Sequence, residues 1–387
     1  MSTPLSLRAR VAEHLRSLGE RHLLRSPRAP AGIDLSSNDY LGLADHPLVK
    51  ARAVETLERD GCGSTGSRLL RGHREIFAVA ESTFAGFKGT ERALYFSSGY
   101  LANLSVLTAF AERGDVILLD RLCHASLRDG ARLATARRAV FRHNDADSLA
   151  RALKSTGGHG QAFVVTESLF SMDGDVPPLS EYATICREAG AALIVDEAHA
   201  VGTYGERGSG LIEATGIDDD VLVSINTAGK ALGVAGAFVA GPHWAIEYLV
   251  QRARPFVFST APPPALAAAL CASIALVSGE PDRRERLRDR SVRLRRMIAD
   301  AGISIALGDS QIVPIVLGDT ERTLGIAAKL QAEGFDVRAV RPPTVPLNTA
   351  RLRVSVNVHL SDAQMERFVA RLAAAVKDLP ECHMVSS

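Results

Sequence analysis

Short apolar runs recur along the first two-thirds of the chain, separated by segments whose apolar residues follow the helical period. The runs VILLD (116–120), AVFRHND (139–145), AFVVTE (162–167) and ALIV (192–195) read as strands. A helix-like segment at 179–189 separates the last two. Strands that alternate with helices predict an α/β fold around a mostly parallel sheet, because parallel neighbours need a crossover connection.

The pattern changes after residue 275. A long charged helix at 282–301 leads into four short runs that read as strands, ISIAL, IVPIVL, FDVRAV and RLRVSV, with two helices among them. This part predicts a smaller C-terminal α+β domain. We therefore divide the chain into an N-terminal helix and arm (1–45), a large domain (46–275) and a small domain (276–387).

Composition narrows the class of protein. The chain has 387 residues and a net charge of +1, so its charge favours neither nucleic acid nor an anionic membrane as a partner. The five cysteines are scattered and include no C-x-x-C pair, which argues against a disulfide framework and a zinc ribbon and favours the reducing cytoplasm. The longest apolar stretch, 265–277, is too short to cross a bilayer.

Polar side chains follow two of the apolar runs. Asp196 and His199 come after the run at 191–195, and Thr227 and Lys230 come after VLVSI (221–225). Open α/β sheets bind ligands at the carboxyl ends of their strands. A carboxylate, an imidazole and an amine at one edge fit pyridoxal 5'-phosphate (PLP), with Asp196 facing the pyridine nitrogen and Lys230 forming the covalent link.

Further candidates for the cofactor site follow other strands. Ser98, Gly99 and Tyr100 stand between a short strand and a helix, where free amides and the helix dipole attract phosphate. An ordinary βα turn with a serine cap has the same sequence. His124 lies just past VILLD and is a candidate to cover one face of the pyridine ring, and Glu167 ends the AFVVTE run.

Three competing motifs are weaker. DEAH (196–199) spells a helicase box, but the sequence has no G-x-x-x-x-G-K-[ST] loop to accompany it. The glycines at 61, 63 and 66 match a dinucleotide fingerprint, yet they follow a helix where that fingerprint requires a strand. No H-E-x-x-H pattern supports a metal at Asp196 and His199, so we expect none.

Several stretches together resemble the α-oxoamine synthases, PLP enzymes of aminotransferase fold type I. They are SSNDYLGL, SSGYLAN, DRLCHASL, TESLFSMDGD, IVDEAHAVG and TAGKALG, followed by RPPTVP and ARLRVSV near the C-terminus. The resemblance implies a homodimeric acyltransferase. RPPTVPxxTARLR is most similar to the branch that condenses L-alanine with pimeloyl-CoA, or the acyl-carrier-protein thioester, in biotin biosynthesis. Alternatives are glycine or serine with another acyl-CoA, or a non-catalytic protein with the PLP fold.

The resemblance also implies roles for individual residues. It makes Lys230 the imine lysine, Asp196 the carboxylate facing the pyridine nitrogen and His124 the stacking histidine. His199 and Ser171 contact the ring oxygen or its neighbourhood. Gly99, Tyr100 and Thr227 contact the phosphate, and Thr260 reaches the phosphate of the neighbouring subunit. It places Asn38 and Arg353 on the amino-acid carboxylate and Thr344 on the substrate, with Arg21 or Arg25 as a further contact.

Overall fold

The computed structural model describes residues 6–157, 160–306 and 308–378. Its strands are β1 Ile33–Asp34, β2 Arg92–Phe96, β3 Val116–Asp120, β4 Arg137–Phe141, β5 Ala162–Glu167, β6 Ala192–Asp196, β7 Val221–Thr227, β8 Ala237–Gly241, β9 Ile312–Gly318, β10 Phe335–Asp336, β11 Ala339–Val340 and β12 Ala350–Ser355. Its helices are α1 Leu7–Glu20, α2 Pro47–Asp60, α3 Glu75–Lys88, α4 Gly99–Phe110, α5 Ala125–Leu133, α6 Ala146–Lys154, α7 Leu179–Ala189, α8 Leu211–Thr215, α9 His243–Arg252, α10 Arg254–Val257, α11 Pro264–Gly279, α12 Pro281–Asp300, α13 Thr320–Ala332 and α14 Asp362–Lys377.

The chain forms two compact units, Asn38–Asp289 and Met1–Ser37 together with Arg290–Ser387. The sequence placed its divisions at 45 and 275 and kept the N-terminal arm separate. In the structure β1 pairs in parallel with β10, and the backbone N–H of Ser355 donates to Leu35 O at 2.8 Å. These backbone bonds join the N-terminal segment to the C-terminal one.

A seven-stranded sheet of order β2-β8-β7-β6-β5-β3-β4 forms the centre of the larger unit. Pairs within β4-β3-β5-β6-β7 are parallel, and β8 is antiparallel to both β7 and β2. The predicted α/β fold with a mostly parallel sheet is confirmed. Because the five strands share one direction, their carboxyl ends meet at one edge of the sheet.

The core of this unit explains the continuous apolar runs. All five residues of β3 and four of five in β6 are buried, as expected for parallel strands covered on both faces. Helix α11 is also largely buried. No single helix in the described ranges is long and apolar enough to cross a membrane, although α11 and α12, bent by 73°, meet the length and composition criteria as a pair.

Local signals set the helix ends. Ser361 and Gln364 form a capping box at the start of α14, and α2 begins on Pro47, which cannot donate and fits a first helical position. Helices α3 and α7 are capped by the glycines that follow them, Gly89 and Gly190, both in the left-handed conformation that glycine adopts without a Cβ clash.

The smaller unit departs from the predicted strands. Its three-stranded antiparallel sheet has the order β11-β12-β9. The strand predicted at 303–307 is wrong for residues 303–306, which form no strand, and Leu307 lies outside the described residues. The run at 335–340 splits into β10 and β11, because the first half pairs with β1 and the second with β12.

One strand of the larger unit also ends earlier than predicted. The run AVFRHND predicts a strand that continues to residue 145, whereas β4 ends at Phe141. Asn144 has a φ of 52°, a conformation outside the strand region, so the chain turns after Phe141. His143 therefore lies in a loop at the carboxyl edge of the sheet.

Candidate active site

Two buried carboxylates lie side by side at the carboxyl edge of the sheet. Glu167 ends β5 and Asp196 ends β6, and the two are register partners. Asp196 accepts hydrogen bonds at Oδ2 from Asn103 Nδ2 (2.8 Å) and at Oδ1 from the backbone N–H of Ala198 (2.9 Å). Both oxygens are thus held by donors, which fixes the direction of this carboxylate.

His124 is connected to Asp196 through two polar side chains. Asn103 Nδ2 also donates to Ser126 Oγ (2.8 Å), and Ser126 Oγ lies 2.7 Å from His124 Nδ1. Burial lowers the pKa of His124, with the charge of Lys230 acting in the same direction and that of Asp196 opposing it. The lowered pKa favours a neutral ring, consistent with the predicted contact to a pyridine face.

Sequence reasoning did not single out Asn103 or Ser126. The signal was present for Asn103, a lone amide inside the apolar helix LANLSVLTAF and buried in the structure. A buried amide in such a helix needs a hydrogen-bond partner, which here is Asp196.

Lys230 begins a second chain of hydrogen bonds. Its Nζ lies 2.9 Å from His199 Nε2, and His199 Nδ1 lies 2.7 Å from the hydroxyl of Tyr40. That hydroxyl is 3.0 Å from Asn38 Oδ1. The structure therefore brings together Lys230, His199 and Asn38, three predicted site residues, through Tyr40. Tyr40 lies in the quoted SSNDYLGL stretch, but the prediction assigned it no role.

The residues predicted to contact a phosphate lie where α4 begins. Ser98 caps the helix by accepting from the backbone N–H of Leu101 at 3.3 Å. Gly99 packs against Thr227 so closely that a Cβ at residue 99 would collide with Thr227 Oγ1. Tyr100 is 44% exposed and donates to Asp129 Oδ2 at 2.6 Å. The first amides of a helix have no partner within the helix, so this corner can bind an anion.

Glu167 holds the backbone of His124. Its Oε1 accepts from the His124 backbone N–H at 2.6 Å. Burial, together with the neighbouring charge of Asp196, raises the pKa of Glu167 to about 8. The structure thus supports a role in placing His124, whereas the cofactor contact predicted for Glu167 stays a prediction.

Two other predicted cofactor residues lie on loops. Ser171 follows β5 in the loop that continues to Asp175. Thr260 is exposed and forms an isolated bridge with Ser67, beside the backbone bond from Ala261 N to Gly66 O (2.8 Å). Gly66 and Ser67 therefore pair with 260–261. The contact of Thr260 with the neighbouring subunit stays a prediction.

The remaining predicted substrate residues lie in the smaller unit. Arg353 is buried on β12 and donates from Nη1 to Ser355 Oγ at 2.7 Å. Thr344 Oγ1 accepts from Arg25 Nη2 at 3.1 Å, while Arg21 Nε donates to Ser17 O at 3.2 Å at the end of α1. Of the two N-terminal arginines, the structure joins Arg25 with the predicted substrate residue Thr344.

The donors and acceptors at the sheet edge fit PLP. Asp196 offers a fixed carboxylate to a pyridine nitrogen, Lys230 offers an amine, and His124 offers a ring. Gly99, at the N-terminus of α4, allows Thr227 to approach closely, and any larger residue at this position would collide with Thr227. No group of three or more histidine, cysteine or acidic residues in the described ranges is suited to a metal ion.

Comparisons with known proteins identify the family. The model of the family described as aminotransferase class I and II matches residues 30–372. The chain belongs to this family. It is 48% identical over 349 residues to an 8-amino-7-oxononanoate synthase of Anaeromyxobacter dehalogenans, covering 90% of this chain and 87% of that protein.

Two solved structures place this member of the aminotransferase class I and II family among the α-oxoamine synthases. Serine palmitoyltransferase from S. paucimobilis with bound PLP–myriocin aldimine matches with a TM-score of 0.90 and 29% identity, covering 97% of this chain and 100% of that one. The 8-amino-7-oxononanoate synthase of Francisella tularensis matches with a TM-score of 0.78 and 28% identity, covering 90% and 98%. The predicted resemblance, fold type and PLP cofactor are confirmed.

Proposed function

We propose that this protein catalyses the decarboxylative condensation of L-alanine with a pimeloyl thioester to give 8-amino-7-oxononanoate, CO2 and the free thiol, a step of biotin biosynthesis. The observation that carries the proposal is the arrangement of Lys230 and Asp196 at the sheet edge. The Lys230 amine is hydrogen-bonded to His199, and the Asp196 carboxylate is held in place by its donors. The 48% identity to a protein of that name, over 90% of this chain, supports this branch of the family.

The roles of the residues at the sheet edge follow from their contacts. Bound PLP supplies an electron sink that stabilises negative charge at the amino-acid Cα. Asp196 keeps the pyridine nitrogen protonated, since both of its oxygens are held in place by donors. Lys230 accepts the Cα proton, and His199, fixed by Tyr40, orients the lysine amine.

The substrate contacts remain as the resemblance implies. Arg353 and Asn38 bind the amino-acid carboxylate by charge-assisted and neutral hydrogen bonds. Thr344 and Arg25, which contact each other, are the candidates for the thioester substrate. Leu347 and Asn348 directly follow the RPPTVP segment, and Leu347 is 79% exposed. This loop is therefore a candidate to set the preference for the acyl chain.

A second candidate function uses serine and a long acyl thioester. The structural match to serine palmitoyltransferase, with a TM-score of 0.90, exceeds the 0.78 found for the Francisella synthase. The sequence points the other way, because relatives that are 42–48% identical to this chain, among them the Anaeromyxobacter protein, are named 8-amino-7-oxononanoate synthase. Identity does not separate the two solved structures, since it is 29% for the palmitoyltransferase and 28% for the Francisella synthase. The named relatives therefore favour the first candidate.

A thiol-release assay tests the choice between the two. The purified protein with PLP is incubated with L-alanine, glycine or L-serine against pimeloyl-CoA, acetyl-CoA and palmitoyl-CoA. L-Alanine with pimeloyl-CoA should give the highest kcat/KM, and Lys230→Ala should release no thiol above background. Turnover of serine with palmitoyl-CoA, but not of alanine with pimeloyl-CoA, would replace the first candidate with the second. Repeating the assay with the carrier-protein thioester compares the two acyl donors.

The assembly and location are part of the same proposal. A homodimer in the cytoplasm agrees with the resemblance and with the free state of Cys62, Cys123, Cys186 and Cys271. Light scattering should give twice the mass of the 387-residue chain. A fully active monomer would contradict the dimer.

A further inference from the structure

His143 joins two loops at the carboxyl edge of the sheet. Its Nδ1 lies 2.8 Å from Asp120 Oδ1 and its Nε2 lies 2.9 Å from Asp175 Oδ2. The side chain is 14% exposed, and its ring is nearly perpendicular to that of Phe170, with 4.4 Å between the centroids. None of the roles derived above uses this histidine.

The two contacts define its charge. A carboxylate oxygen accepts hydrogen bonds, so a ring nitrogen facing one must carry a proton, and both nitrogens carry protons only in the imidazolium. Burial opposes this charge, but hydrogen bonds to Asp120 and Asp175 and their charges outweigh burial and raise the pKa of His143 to about 9. The ring is therefore charged at neutral pH.

On one side the imidazolium fixes the turn that leads to His124. Asp120 is the last residue of β3, and its Oδ1 also accepts from the backbone N–H of Leu122 at 2.8 Å. Its Oδ2 accepts from the backbone N–H of Asn144 at 3.1 Å. The turn at 121–124 follows directly and ends on His124, whose backbone is held by Glu167.

On the other side the imidazolium fixes the loop that carries Ser171. The backbone N–H of Phe170 donates to Asp175 O at 3.0 Å, and that of Gly174 donates to Phe170 O at 2.9 Å. These two bonds close the loop around Ser171. Asp175 Oδ2 accepts from Asn144 Nδ2 (2.9 Å) in addition to His143.

We infer that His143 is a positioning residue, whose imidazolium holds the Ser171 loop and the His124 turn in register at the cofactor site. This inference rests on the proposed function only in taking Ser171 and His124 as residues of that site. The charged groups facing the ring are Asp120 from β3 and Asp175 from the loop. Tyr182 of α7 is also close to Asp120, since burial and that carboxylate raise its pKa.

The inference predicts a loss of order at alkaline pH. The folded-state pKa of about 9 lies above the ordinary value of 6.5 for histidine, so proton binding to His143 favours the folded arrangement. The stabilisation of the folded arrangement by the protonated His143 ring is complete below about pH 6.5 and is lost as the pH rises through about 9. The neutral ring keeps one N–H and can donate to only one of the two carboxylates.

The first experiment measures the charge directly. The histidines of the full-length protein are labelled with 13C and 15N, His143 is assigned by comparison with His143→Gln, and its resonances are followed from pH 5 to 10. In the wild type His143 should titrate near pH 9. In Asp175→Asn, which removes one carboxylate charge and keeps a hydrogen-bond acceptor, the midpoint should fall by about one unit or more. A wild-type midpoint near 6.5 that Asp175→Asn does not move would overturn the inference.

The second experiment measures the loop. Hydrogen exchange of the segment 168–176 is compared at pH 7 in apoprotein and PLP-bound protein for wild type, His143→Gln and Asp175→Asn. Both variants should exchange the amides of Phe170 and Gly174 about tenfold faster or more, because a hydrogen bond to a charged group is lost. His243→Gln is the control, since that side chain is 61% exposed and its Nε2 lies 3.9 Å from Glu247 Oε2. Unchanged exchange in both variants would refute the inference.

These readouts separate the inference from the proposed function. Exchange and titration in the apoprotein require no substrate, so they stand even where alanine and pimeloyl-CoA give no turnover. Where turnover is found, the alkaline limb of kcat/KM should move to lower pH in Asp175→Asn along with the midpoint of His143. If the titration midpoint of His143 moves in Asp175→Asn but the alkaline limb of kcat/KM does not, the pairing of His143 with Asp175 has no effect on the active site.

Discussion

The phosphate cradle can be tested by replacing Gly99 with alanine. A Cβ at this position would overlap Thr227 Oγ1 and would lie 3.3 Å from Thr227 Cβ and 3.4 Å from its Cγ2. Threonine is β-branched, so two of its three χ1 rotamers direct a heavy atom toward residue 99, and the third turns Oγ1 away from its present position. Either Thr227 changes rotamer, or the start of α4 or the end of β7 moves, and each of these changes disturbs the proposed phosphate site.

The magnitude follows from the size of the overlap. Adding a methyl group to a closely packed position costs about 1–3 kcal/mol. We expect Gly99→Ala to lower the free energy of unfolding of the apoprotein by this amount in urea. Part of this strain is transmitted to the phosphate cradle, and each 1.4 kcal/mol of it weakens PLP binding about tenfold. The dissociation constant of PLP is measured by a titration followed through the absorbance of PLP.

Two further variants make the test specific. Gly86→Ala is the matched control, because Gly86 lies in helix α3 with nothing within 4 Å of its added Cβ. That change should stabilise the protein by about 0.5–1 kcal/mol. Thr227→Ala removes the Oγ1 and Cγ2 atoms, so the double variant should recover part of the stability that Gly99→Ala loses. Wild-type stability and PLP affinity in Gly99→Ala, or no recovery in the double variant, would refute this account of the cradle.

Three other predictions concern buried polar groups. Lys88→Met leaves the Glu197 carboxylate buried without its ion-pair partner, so the unfolding free energy should fall by about 3–5 kcal/mol, and a urea midpoint equal to wild type would contradict this. Tyr40→Phe removes the hydroxyl 2.7 Å from His199 Nδ1, so kcat/KM should fall by up to about tenfold while the fold, followed by circular dichroism, is kept. The pKa of Glu167 is raised to about 8, so ionisation of this carboxyl opposes folding. The protonated carboxyl therefore contributes to the stability of the apoprotein below about pH 4.5, and this contribution is lost as the pH rises through 8. Glu167→Gln should flatten that slope in thermal melts recorded across pH 4–9, and an unchanged slope would assign it to another group.

The residues of the site differ in how much signal they leave in the sequence. Asp196 follows an apolar run directly and Lys230 comes shortly after another, so their place at the sheet edge could be predicted from period and length alone. Tyr40 and Asn103 could not be assigned roles in this way, because each acts through a partner far along the chain. Tyr40 contacts His199, 159 residues away, and Asn103 contacts Asp196, 93 residues away. Such pairings depend on strand order, which a single sequence does not encode locally.

The sequence by itself determined the fold class, the cofactor and the residues that follow each strand, because hydrophobic period and motif order are local properties of the chain. Tertiary structure decided the rest. Only the folded chain pairs β1 with β10 and so joins the N-terminal segment to the C-terminal unit, and only it selects Arg25 over Arg21 as the partner of Thr344. It also ends β4 at Phe141 and places the His143 ring between Asp120 and Asp175, where two carboxylates from separate segments give it a charge that the sequence run RHND does not reveal.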